Sequence, residues 1–108
     1  MRPILEDNLE RLVQICQTRQ VKKLYTFGSV NTEEFHEESD IDLLVEFETI
    51  SLEEYADNFF EMCYDLESLF GRTVDLVTIR SVKNPIFKEE IDSTKQLLFD
   101  AEKVTVDG

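Results

Sequence analysis

Apolar residues recur along this chain with two different periods. Between Pro3 and about Gln17, the residues Leu5, Leu9, Leu12, Val13 and Cys16 fall on one stripe at three- and four-residue steps. That spacing predicts a helix, and Pro3 suits its first turn, where a missing N–H costs nothing. The run VKKLYTF, residues 21–27, is short and β-rich, and it stops at Gly28. Residues 29–38 are polar and acidic, which leaves a helical turn or a loop open. SDIDLLVEFE, from Ser39 to Glu48, reads as a strand. Ser51 and Glu54 form a capping-box pattern ahead of Leu52, Tyr55, Ala56, Phe59, Cys63, Leu66 and Phe70, so a long helix is expected up to a stop at Gly71. RTVDLVTI (72–79) reads as a strand, NPIFKEEIDS (84–93) as a short helix with Pro85 in its first turn, and KQLLFD (95–100) as a last short strand. Residues 101–108 are expected to form a frayed tail.

Strands interspersed with helices predict an α/β (α+β) domain, a mixed sheet of about four strands flanked by helices. A length of 108 residues fits one domain, 1–108, with its core at about 21–99. The 42% apolar content, with eight Phe, is enough for a single core and argues against disorder. No apolar run approaches the roughly 20 residues that cross a bilayer, and MRPILEDNLE lacks a secretion signal's apolar segment, so a cytoplasmic location is expected. Cys16 and Cys63 each fall in an apolar helical pattern and read as reduced core thiols. The formal net charge of −13 argues against direct nucleic-acid binding, which needs a basic footprint, and suits docking on a basic partner. Tyr55, Phe59, Phe60 and Tyr64 give the long helix more aromatic surface than one core face needs, so homo- or hetero-oligomerisation is compatible with the chain.

One stretch breaks the apolar logic. Asp40 and Asp42 interrupt a strand pattern one residue apart, and alternation puts both on the face opposite Ile41, Leu43 and Val45. Like charges about 7 Å apart repel. A divalent cation between them relieves the repulsion, and rigidly held carboxylate oxygens suit Mg²⁺. Asp75 likewise interrupts TVDLVTI; if its strand lies beside the first, three acids meet in one patch able to hold two ions for an in-line phosphoryl displacement. Ten residues before Asp40, Gly28 and Ser29 close a strand. Glycine lets backbone approach a ligand, and a helix starting at Ser29 would aim free N–H groups at a phosphate.

Gly28-Ser29, Asp40-Ile41-Asp42 followed by Leu43-Leu44-Val45, and Asp75 in a later strand together resemble the nucleotidyltransferase superfamily that shares the palm of DNA polymerase β. The small size points to its minimal nucleotidyltransferase (MNT) branch, and the resemblance runs from about Tyr25 to Phe99. It implies a mixed sheet, Mg²⁺ (two ions) and a nucleoside triphosphate, usually ATP, as substrate. By the same resemblance, Gly28 and Ser29 hold the triphosphate, Asp40 and Asp42 bind metal, and Asp75 completes the site and helps deprotonate the acceptor. The reaction implied moves AMP from ATP to a hydroxyl and releases pyrophosphate. Many members of the branch are antitoxins paired with a HEPN toxin, and some attach AMP to it. Two alternatives stay open: a docking antitoxin without catalysis, and a transferase acting on a small molecule such as an antibiotic. The segment after Ser29 departs from the basic GSRARG pattern of many relatives. It carries Glu33, Glu34, Glu37 and Glu38 and no Lys or Arg, leaving Lys22, Lys23, Arg72, Arg80 and Lys83 as other sources of positive charge. His36, the only histidine, is expected to be a loop residue.

Overall fold

A computed structural model describes residues 2–103. The sheet has four strands, β1 (Val21–Phe27), β2 (Ile41–Phe47), β3 (Val74–Thr78) and β4 (Gln96–Asp100), in the order β3-β2-β1-β4. β1 is antiparallel to β2 and to β4, whereas β2 and β3 are parallel. The parallel pair requires a crossover, and α3 (Leu52–Phe70) supplies it.

The helices follow from local chemistry. At the head of α3, the Ser51 side chain accepts a hydrogen bond from the Glu54 N–H at 3.1 Å. At its end Gly71 takes a left-handed conformation, φ +66°, which terminates the helix. α4 (Pro85–Thr94) has Pro at its first position and Asn84 as its cap, which accepts from Ile86 N–H. The expected first helix is corrected: it divides into α1 (Pro3–Glu6) and α2 (Leu9–Thr18). Asn8 causes the break, since its side chain donates to the Ile4 carbonyl at 2.8 Å and so competes with the helical ladder. The apolar stripe survives, because Leu5, Leu12 and Cys16 are all buried.

Strand alternation sorts two faces. Ile41, Leu43, Val45 and Phe47 point to the main core, where they meet Leu12 and Cys16 of α2 and Met62, Leu66 and Phe70 of α3. The opposite face carries a smaller cluster, Phe27, Leu44 and Ile91, with Tyr25, Val77 and Phe87 packed on it, so α4 lies over that side. This second face also carries the carboxylates. Phe47 and Tyr55 pack edge to face at 5.1 Å, so Tyr55 belongs to the core side of α3. No helix among the described residues is long and apolar enough to cross a membrane.

Candidate active site

The site is assembled at one end of the sheet, where β1 finishes and β2 and β3 begin. Register does most of the work. Asp42 pairs with Phe27 of β1 on one side and with Asp75 of β3 on the other. Paired residues on adjacent strands share a face, so the two carboxylates stand one strand spacing apart, about 4.8 Å at the backbone. Asp40 lies one residue ahead of β2, outside the strand in which the sequence pattern put it, and is exposed. Its place is fixed on both sides. The Ile41 N–H donates to the Thr73 carbonyl at 3.1 Å, and the Arg72 guanidinium donates to the Ser39 carbonyl at 3.0 Å.

Electrostatics mark the same spot. Partial burial pushes the Asp42 carboxyl up to about 6, and the charges of Asp75, Asp40 and Glu90 push in the same direction. Glu90, on α4, is a fourth acid at the site that the sequence pattern does not single out. None of these four carboxylates forms an ion pair among the described residues. Asp42, the one of the four that is partly buried, sits among like charges without a basic partner, a deficit that a cation fills. As their side chains are placed, no three His, Cys, Asp or Glu groups among the described residues enclose a metal position. The donor set itself, carboxylate oxygens only, fits a hard divalent ion and not a soft one.

Gly28 is in direct contact with this centre. Its φ is +69°, and a Cβ built on it would lie 2.5 Å from Oδ2 of Asp42. The glycine is therefore required twice, by backbone conformation and by the carboxylate against it. Gly28–Asn31 forms a short 3₁₀ turn in place of the α-helix start considered at Ser29. The turn is fastened to the end of α4: Gly28 N–H donates to Thr94 Oγ1 at 3.1 Å, and the Asn31 side chain donates to the Thr94 carbonyl at 2.8 Å. Arg2 fastens it from outside by donating to the carbonyls of Val30 and Thr32. Thr94, Asn31 and Arg2 were not legible as site residues, because their partners are distant in sequence and no residue-type pattern links them.

The acidic loop that follows is pinned at both ends. Arg2 and Arg72 lie over the Phe35 ring at 5.4 and 4.9 Å, and Arg72 also donates to the His36 carbonyl. His36 is exposed and accepts from Glu38 N–H, in keeping with a loop position. Among the basic residues considered for the triphosphate, Arg72 is the one beside the carboxylate end. Lys22 pairs with Glu46 at 4.0 Å, toward the far end of β1, and Arg80 lies over Tyr55 past the other end of β3.

A strand-end turn closed by glycine, with acids from two adjacent strands beneath it, is the arrangement of a nucleotide-transferring palm. Residues 9–99 match the nucleotidyltransferase domain family, and the chain belongs to that family. It is 38% identical over 89 residues to a Methanocaldococcus jannaschii protein provisionally named a protein adenylyltransferase, covering 82% of this chain and 88% of that one. It is 44% identical over 68 residues to the protein adenylyltransferase MntA of Thermococcus cleftensis, covering 63% and 66%. The fold matches that of a chain in the Shewanella oneidensis complex of a tri-AMPylated HEPN toxin with an MNT antitoxin. That match has a TM-score of 0.62 at 20% identity and covers 90% of this chain and 73% of that one.

Proposed function

We propose that this protein moves AMP from ATP to a hydroxyl of a HEPN-type toxin in the cytoplasm and thereby acts as its antitoxin. The reading rests on the register of Asp42 with Asp75 under a glycine where an added Cβ would lie 2.5 Å from the Asp42 carboxylate. Relatives named protein adenylyltransferase support the choice of AMP, and the Shewanella complex supports the partner class.

In this reading Gly28 lets the backbone come close to the triphosphate, and Ser29 offers it a backbone N–H and a hydroxyl. Asp40, Asp42 and Asp75 hold Mg²⁺, two ions in full occupancy, which supplies charge neutralisation to the phosphates. The acceptor oxygen bonds to the α-phosphorus, the bridging bond to the β-phosphate breaks, and pyrophosphate leaves. Asp75 is the exposed acid at the edge strand and receives the acceptor's proton. What the chain contributes is position and preorganised charge, the main terms for phosphoryl transfer. A small-molecule acceptor is disfavoured by the surface. A groove of about 470 Å³ is lined by Asn8, Arg11, Ile15 and Leu69 of the N-terminal helices and α3, away from the carboxylates. A protein partner brings its own walls.

The test is transfer of radiolabelled AMP from ATP to a purified HEPN-domain protein of the same organism. Asp42→Ala is expected to abolish labelling while circular dichroism stays native. Undiminished labelling by that variant rejects the mechanism. Full toxin neutralisation by an unlabelled Asp42→Ala complex selects the docking-only alternative.

A further inference from the structure

The long helix carries an apolar ridge that the fold leaves uncovered. Leu52, Ala56, Phe60 and Tyr64 follow one another at four-residue steps, so they form a continuous row along α3. Leu52, Phe60 and Tyr64 are 76%, 70% and 71% exposed. Of the helix aromatics, Tyr55 and Phe59 pack on the core, whereas the Phe60 ring stands edge to face against Phe59 at 5.5 Å. Single exposed apolar residues are ordinary, but a row of this kind marks an interaction surface.

The charge around the ridge specifies what fits it. α3 carries Glu53, Glu54, Asp57, Glu61, Asp65 and Glu67, and no Lys or Arg. Only Glu61 and Asp65 form ion pairs among the described residues, both with Arg19. A second copy laid ridge to ridge would bring these acids together, on a chain whose net charge is already −13. The ridge also runs toward the end of the sheet where the carboxylates lie, on the opposite face from them. One turn beyond Tyr64, the Glu67 carboxylate accepts from the Val74 N–H at 3.1 Å, and Val74 precedes Asp75.

The geometry points to the Leu52–Ala56–Phe60–Tyr64 ridge as the docking surface for a helix of the acceptor protein, one that presents an apolar stripe flanked by Lys and Arg. This rests on the AMP-transfer reading for the identity of the partner, but the ridge itself is testable without it. The probe is a synthetic helical peptide of about five turns with a leucine stripe flanked by lysines. Its controls are the same stripe flanked by glutamates and a lysine peptide whose stripe is serine. Binding is read by fluorescence anisotropy on the whole protein.

The lysine-flanked stripe peptide is expected to bind at least roughly tenfold tighter than either control, and at least roughly tenfold tighter to the native protein than to Phe60→Ser/Tyr64→Ser. Both substituted residues are exposed, so the thermal midpoint should hold to within about 4 °C. Equal binding by the double variant, or by the serine peptide, overturns the inference. So does a dimer of the native protein that the double substitution dissolves, because it assigns the ridge to a second copy. Calorimetry with Mg²⁺ and ATP on the same samples keeps the two readings separate. Absent nucleotide binding by native protein counts against AMP transfer alone, whereas intact nucleotide binding with peptide indifference counts against the ridge alone.

Discussion

At the scale of single residues, the site is a contest between burial and charge. Asp42 has its carboxyl raised from 3.8 to about 6, first by burial and then by Asp75, Asp40 and Glu90. The sign follows from linkage. Below pH 3.8 the folded and unfolded chains both hold the proton, and no penalty exists. Between 3.8 and 6 the unfolded chain gives it up first, so stability falls as pH rises, and above 6 the loss is complete. A shift of about 2 units corresponds to roughly 3 kcal/mol, and partial exposure reduces it to about 1–2 kcal/mol. Asp42→Asn should therefore be more stable than the metal-free native protein by that amount at pH 7.5, with no gain at pH 3.5. Urea unfolding at the two pH values measures it, and a variant less stable at pH 7.5 refutes the account. Glycine supplies a second comparison. Gly28 and Gly71 have almost the same backbone angle, φ +69° and +66°, but an added methyl meets Asp42 Oδ2 at 2.5 Å at Gly28 and nothing within 4 Å at Gly71. Gly71→Ala should cost about 1 kcal/mol from left-handed strain alone. Gly28→Ala should cost more and also weaken Mg²⁺-ATP binding by calorimetry, because the carboxylate must move. Equal costs with nucleotide binding unaffected would remove the close contact from the argument.

At the scale of elements, what the sequence disclosed and what it hid divide along sequence distance. The strands and helices were readable because each carries its period locally: alternation placed Asp42 opposite Leu43, and three- and four-residue steps marked α3. Capping by Ser51 and the stop at Gly71 were readable for the same reason. Asp42 and Asp75 were readable as interruptions of apolar runs, although only the parallel pairing of β2 with β3 puts them side by side. The break at Asn8 was hidden, since the stripe continues through it and only a side-chain hydrogen bond marks it. Long-range clamps were hidden altogether. Arg72 contacts Phe35 and the carbonyls of His36 and Ser39 across more than 30 residues of chain. Those contacts give a prediction for the loop: Arg72→Ala should raise amide hydrogen exchange at residues 35–39 by at least roughly tenfold. Exchange in β1, buried between β2 and β4, should change far less, since local opening need not involve the core. Uniform acceleration across the sheet would mean that Arg72 supports the whole fold and not the loop.

At the scale of the whole molecule, the two cysteines measure how the core opens. Cys16 on α2 is fully buried among Leu12, Leu24, Met62 and Leu66, and burial pushes its thiol up to about 12. Cys63 on α3 is half-buried, and its thiol is raised by burial first and then by the charges of Glu67 and Asp75. The reactive form is the thiolate. Cys63 should therefore react slowly with a disulfide reagent in native protein at pH 8, and Cys16 not at all. Because Cys16 belongs to the cluster that joins α2, α3 and the sheet, its exposure requires those layers to separate together. Its modification in rising urea should track the loss of circular dichroism, with the same midpoint, whereas Cys63 should become reactive at lower urea. The measurement uses Cys63→Ser and Cys16→Ala separately, so that each thiol reports alone. Labelling of Cys16 well before the ellipticity transition would show that α2 detaches from the sheet first. The carboxylate end of the molecule would then rest on β1, β2, β3 and α4 with the N-terminal helices as a separable cover, and mutations in α2 would lower global stability less than their burial implies.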